Sequence, residues 1–207
     1  MLETYLFITP WGDECFKCEK ETIRYFGRAE EKVDLKIFPV LNMQVVLNYM
    51  KHNQVKNGNY NDLFNRMYLT CLDYKAACYQ GRAKGRQFLV AMQKSVIDKG
   101  ESYSIELGSQ LAQQVGLDLT MFEDDRRSEM VQKEFKHDQQ LAHEMGAESI
   151  PAAVIFNVKD EEYGILMDHY DYQTLASVCK LKLASDDDNS FIPRHFSLLE
   201  HRNYFSD

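Results

Sequence analysis

Hydrophobic positions along the chain change period three times. Leu2–Ile8 is an apolar, aromatic run, which predicts a strand buried on both faces. The next segment, Cys15 to Arg28, reads as a helix with Phe16, Ile23, Tyr25 and Phe26 on its apolar side. Val33–Pro39 alternates apolar and polar residues, the period-two mark of a second strand. Strand, helix and strand in such close succession make a βαβ unit with a parallel pair. From Asn61 to Gln80 the apolar positions then fall in steps of three or four: Leu63 and Phe64, Met67 and Tyr68, Cys71 and Leu72, Ala76, Tyr79. Phe88, Leu89, Met92 and Val96 repeat that spacing, as do Ile105, Leu107, Leu111 and Val115. One longer helix is expected from Leu119 to Met145, closed by Gly146 in the left-handed position that ends many helices. Strand character returns at Ala152–Phe156 and Gly164–Met167, and a last helix is expected over Tyr172–Leu183. An acidic stretch, 185–190, leads to an aromatic-rich tail, Phe191 to Asp207, which is expected to pack back on its own domain.

The order β-α-β, helices, β-β-α is that of an α/β thioredoxin fold carrying a large all-helical insertion. It divides the chain into a discontinuous thioredoxin-like domain (1–40 and 146–184), an inserted helical domain (41–145), and an acidic linker with a C-terminal tail (185–207). At 207 residues and 44% hydrophobic content the chain can bury a sizeable core. A net charge of −8 with no basic patch argues against nucleic-acid binding. No apolar run reaches the ~20 residues of a membrane helix, and no secretory leader pattern precedes the first strand. The expected location is cytoplasmic, where the five cysteines are reduced thiols.

Those cysteines raise the first chemical question. Cys15-Phe-Lys-Cys18 sits where a strand gives way to a helix. A thiol at a helix N-terminus is acidified by the macrodipole, and a partner three residues on can resolve a mixed disulfide. The same spacing also describes two ordinary cysteines on one helix face. The loop Gly146-Ala-Glu-Ser-Ile150-Pro151 stands directly before a strand. In this fold order Pro151 is expected to be cis and to lie beside the dithiol position, where a bound peptide or glutathione could pair with the backbone. Cys71 and Cys78 share a helix face and read as small core residues. His137 and His143, six apart on the long helix, and His195 and His201 in the tail show no metal-ligand spacing, so no metal site is expected. No glycine-rich phosphate loop is present, and the residues call for no cofactor.

Three segments carry a resemblance: Leu2-Glu-Thr-Tyr-Leu-Phe-Ile-Thr-Pro10, Asp73 through Gln93, and Ala142-His-Glu-Met-Gly-Ala-Glu-Ser-Ile-Pro151. Over residues 2–183 the chain resembles the DsbA-like branch of the thioredoxin superfamily, and within it the Spx adaptor family of Gram-positive bacteria. Members of that family hand the regulator Spx to the ClpXP protease. The resemblance thus implies protein partners, an Spx-like regulator and ClpX, and a binding surface at Pro10, Trp11, Gly12, Ile150 and Pro151. The family's motif, Phe-x-x-Pro-x-Cys-x-x-Cys, aligns through Phe7 and Pro10. Gly12 then occupies the place of the attacking cysteine, Cys15 that of the resolving one, and Cys18 lies a turn deeper. The adaptors' Cys/His-rich leader has no counterpart before Leu2, so no zinc site carries over. Two enzymatic alternatives stay open: a thiol–disulfide oxidoreductase or dithiol–disulfide isomerase using Cys15 and Cys18, and a glutathione-dependent isomerase or transferase. The displaced motif implies weak or no oxidoreductase activity.

Overall fold

The computed structural model describes residues 1–29, 32–55, 59–157, 160–183 and 196–200. They fall into two compact units, one of Met1–Ile8, Glu14–Phe38 and Gln140–Asp207, the other of Thr9–Asp13 and Pro39–Gln139.

The first unit is built on a five-stranded sheet. Its strands are β1 (Leu2–Ile8), β2 (Val33–Pro39), β3 (Ala152–Asn157), β4 (Asp160–Asp168) and β5 (Phe196–Glu200), in the spatial order β2-β1-β3-β4-β5. β1 and β3 are central, and both are almost wholly buried, which is why their sequences read as apolar runs rather than alternations. They pair antiparallel, with Tyr5 opposite Val154 and Phe7 opposite Ala152. β3 pairs antiparallel with β4, with a register shift between Ile155 and Asn157. Gly164 of β4 is a close-approach position: a Cβ there would stand 2.4 Å from the Phe156 ring. The tail supplies β5 against β4, so Ser197 faces Leu166. A tail strand was not expected from its sequence, because Phe196–Glu200 shows no period-two alternation. The helices of this unit are α1 (Asp13–Phe26), the C-terminal end of α7 (Glu129–Glu144), and α8 (Tyr172–Leu183), the last as the periodicity predicts. Helix α1 begins at Asp13 rather than Cys15 and ends at Phe26 rather than Arg28. The early start has a cause: Gly12 N closes a turn onto Thr9 O at 3.2 Å. Asp13 and Glu14 then supply the negative charge that the first turn of a helix favours. Gly146 takes the left-handed conformation, φ +67°, just past α7.

The second unit is helical: α2 (Met43–His52), α3 (Tyr60–Tyr79), α4 (Arg82–Gln93) running into a π turn (Lys94–Asp98), α5 (Ile105–Gln114), α6 (Leu119–Arg127) and most of α7. Asn42, Ser104 and Asp118 cap α2, α5 and α6, each accepting from a first-turn N–H. The single helix expected from Leu119 to Met145 is two helices. Ser128 is extended at ψ 146° and its Oγ accepts from Val131 N at 3.2 Å, so it ends α6 and caps α7. The Gln139 side chain accepts from Leu41 N at 2.9 Å and donates to Pro39 O at 2.8 Å, closing the helical segment's two ends together.

A buried ion pair organises this unit. The Arg126 guanidinium grips Asp73 in two bonds, Nε to Oδ1 at 2.8 Å and Nη2 to Oδ2 at 2.6 Å, and Tyr103 donates to Oδ2 at 2.6 Å. Gly108 makes room for all three; a Cβ there would lie 2.4 Å from Asp73 Oδ2 and 2.5 Å from Arg126 Nη2. Cys71 is fully buried, and the Cys78 sulfur packs against Gly85, so both behave as small packing residues.

Candidate functional site

The end of β1 feeds α1 through Thr9–Gly12, and the end of the loop before β3 lies alongside it, since Ala152 is the register partner of Phe7. The Ile150–Pro151 bond is cis and Pro151 is buried. Cys15 is the third residue of α1 and 1% exposed; Cys18 lies one turn on and is 6% exposed. Neither is in a disulfide. Cys18 Sγ donates to Tyr170 O at 3.1 Å. Burial first, and the Glu14 carboxylate second, push the Cys18 thiol up to about 11. A thiol so placed is protonated at neutral pH, whereas disulfide exchange proceeds through the thiolate.

One turn of chain links α1 to the proline loop. His169, just past β4, donates its N–H to Pro151 O at 3.2 Å, and the next residue, Tyr170, receives the Cys18 S–H. Tyr170 is buried and its hydroxyl bonds Thr22 Oγ1 at 2.7 Å, while Thr22 bonds back to Cys18 O at 2.8 Å. The His169 ring reaches both sides: Nδ1 stands 3.2 Å from Glu14 Oε2, and Nε2 stands 2.9 Å from Ser149 Oγ.

The expected site residues therefore divide. Cys15, Cys18, Ile150 and Pro151 belong to the sheet-bearing unit, with Cys18 and Pro151 joined through the backbone of His169 and Tyr170. Pro10, Trp11 and Gly12 belong to the helical unit. Trp11 is buried there, its indole N–H donating to Thr70 Oγ1 at 3.0 Å and its ring meeting Tyr49 edge-on at 5.6 Å. It lines a cavity of about 330 Å³ together with Tyr49, Asn53, Asn59 and Arg66. Glu14, Ser149, His169 and Tyr170 were not singled out by sequence. His169 is one histidine in a turn, and its partners lie far away in the chain. His137 and His143 are exposed on α7. His195 and His201, and the linker 185–190, lie outside the described residues. Among the described residues no group of three or more His, Cys, Asp or Glu is arranged to hold a metal ion, and no helix is long and apolar enough to cross a membrane.

A central sheet with a βαβ start, an antiparallel β3–β4 return, a cis proline before β3 and a helical insertion define a DsbA-like thioredoxin fold. A model of the thioredoxin family matches residues 5–177, and the chain belongs to that family. Among curated relatives it is 27% identical over 164 residues, 79% of the chain, to the ClpXP adapter protein SpxH of Staphylococcus aureus. The chain spans 59% of the length of that relative. Among solved structures, a proposed protein disulfide isomerase from Nitrosomonas europaea superposes with a TM-score of 0.69 at 12% identity, covering 90% of this chain and 99% of that one. The cytosolic disulfide reductase DsbM of Pseudomonas aeruginosa gives 0.62 at 11% identity, covering 88% and 99%. These structural likenesses are likenesses of fold.

Proposed function

We propose that this chain is a cytoplasmic protein-binding adaptor that delivers a client of the Spx type to ClpXP. The observation that carries this reading is the loss of an exposed thiol from the place where the fold does its redox chemistry. Gly12 stands where an attacking cysteine would be, and the two thiols that follow are buried in α1, with Cys18 held protonated. The proline loop beside them is retained, and in this fold that loop binds extended chain through its backbone. The similarity to curated ClpXP adapters supports the same direction.

The competing reading is a thiol–disulfide oxidoreductase using Cys15 and Cys18, or a glutathione-dependent relative of it. It needs a thiolate at positions that exclude solvent, and a disulfide between residues i and i+3 inside a regular helix, where the Cβ separation of about 3.5–4.5 Å is hard to meet. The test is reconstituted degradation of an Spx-type client by ClpXP with and without this protein, under reducing conditions. Acceleration that survives Cys15→Ser and Cys18→Ser is expected. No acceleration by the wild type, or its loss in both folded single variants, would overturn the adaptor reading.

A further inference from the structure

Ser149, His169 and Glu14 come from three distant stretches of chain: the proline loop, the turn after β4 and the first turn of α1. Their polar atoms come together around the imidazole, with Ser149 Oγ 2.9 Å from His169 Nε2 and His169 Nδ1 3.2 Å from Glu14 Oε2. A carboxylate on Nδ1 selects the tautomer with its proton there and leaves Nε2 to accept the serine's proton. Hydroxyl, imidazole and carboxylate in that order are nucleophile, base and orienting group, and this constellation is recognised by geometry rather than by fold.

The backbone holds the imidazole in place. His169 has φ +44°, a left-handed conformation that non-glycine residues rarely adopt. Its N–H is tied to Pro151 O, and the following Tyr170 is anchored by Thr22 and Cys18. Ser149 is exposed and the His169 side chain is 51% exposed, so a substrate carbonyl has a way in. Glu14 places the group at the N-terminal end of α1, where first-turn N–H groups have no acceptor within the helix and the dipole favours negative charge.

We propose that Ser149 is a histidine-activated nucleophile that accepts acyl groups from small carboxylic esters and thioesters. Ser149 Oγ attacks the carbonyl carbon while its proton passes to His169 Nε2. The ester C–O or thioester C–S bond breaks, and the departing alcohol or thiol takes that proton. Water then adds by the same route, its proton passing to Nε2 and on to Ser149 Oγ as the acid is released. His169 and Ser149 are the catalytic residues, and Glu14 is a positioning residue.

The experiment measures p-nitrophenyl acetate hydrolysis by the whole chain and maps a fluorophosphonate label by peptide mass spectrometry. In labelling, the Oγ–P bond forms, the P–F bond breaks and fluoride leaves, with the serine proton on Nε2. The label is expected on Ser149, and Ser149→Ala and His169→Gln should each lower both readouts at least about tenfold. Ser177→Ala on α8 should leave both unchanged. Glu14→Gln should slow acylation without moving its site, and Glu14→Asp should regain part of the rate, which a purely structural role would not produce. A label on any other residue, full hydrolysis by folded Ser149→Ala, or neither hydrolysis nor labelling by the wild type would overturn the proposal.

Discussion

Alkylation of Cys18 measures directly whether the Cys-x-x-Cys can act. Its thiol is raised from 9.0 to about 11, chiefly by burial and next by Glu14, with Lys17 opposing. Two pKa units reduce the thiolate fraction at neutral pH about a hundredfold. A more basic thiolate is also a better nucleophile; with a Brønsted slope of ~0.45 it regains about eightfold per ion. The net effect is a rate about tenfold below that of a free cysteine. The S–H bond to Tyr170 O must also open, and that lowers the rate further. Timed iodoacetamide labelling at pH 7.5 with peptide mass spectrometry, compared with the same chain in urea, reads the ratio. Cys18 is expected to react at least about tenfold more slowly in the folded protein. Equal rates in folded and unfolded chain would refute the burial argument and return Cys18 to the list of catalytic thiols. The same shift has a sign in stability. Above pH 9 the unfolded thiol loses its proton while the folded one keeps it. The contribution present below pH 9 is therefore lost as pH climbs toward 11.

Three further outcomes are expected. Gly12→Cys rebuilds a Cys-x-x-Cys ending at Cys15 and should raise insulin reduction at least about tenfold, ~1.4 kcal/mol on the barrier; an unchanged rate in the folded variant would show that more than a missing thiol separates this site from an oxidoreductase. Gly108→Ala drives a methyl into the Asp73–Arg126–Tyr103 cluster and should cost about 3 kcal/mol in chemical denaturation, the scale of breaking a buried ion pair; a loss under about 1 kcal/mol, the cost range of a tolerated core swap, would contradict it. Arg126→Met leaves Asp73 buried with only Tyr103 of its two partners, so it should destabilise more than the double variant Asp73→Asn with Arg126→Met, as denaturation midpoints would show.

β1, β3 and α8 were legible because burial on both faces leaves apolar runs in the two strands, and one buried face leaves an amphipathic stripe in α8. The cis proline was legible from its place before β3. The break between α6 and α7 was not, because Ser128 interrupts a periodicity that continues through it: Phe122, Val131 and Phe135 are all buried. A serine inside such a pattern becomes a cap only when its backbone turns extended. The start of α1 was misplaced because the two cysteines drew the boundary to themselves, whereas Asp13 and Glu14 carried the first-turn signal. β5 escaped notice because it is an edge strand, held by its ladder with β4. His169 escaped for a different reason: its partners are residues 14 and 149, and no local pattern predicts a meeting made by the sheet register and the turn after β4.

The first turn of α1 decides how well this site can hold a thiolate. A dithiol site relies on the positive end of the helix to hold a thiolate, a gain of about 0.3–1 kcal/mol for an exposed charge. Here positions one and two of the helix are Asp13 and Glu14, so two fixed carboxylates already occupy that field. Glu14 acts in the same sense on Cys18, pushing its thiol up. A cysteine restored at Gly12 would meet these charges before it met the dipole. Removing a carboxylate with Glu14→Gln, in the Gly12→Cys background, should therefore acidify the new thiol further. The same Glu14 holds His169, and His169 holds Pro151, so the charge that suppresses a thiolate is also the one that steadies the proline loop. Holding a thiolate and holding the proline loop thus make opposing demands on one side chain, Glu14.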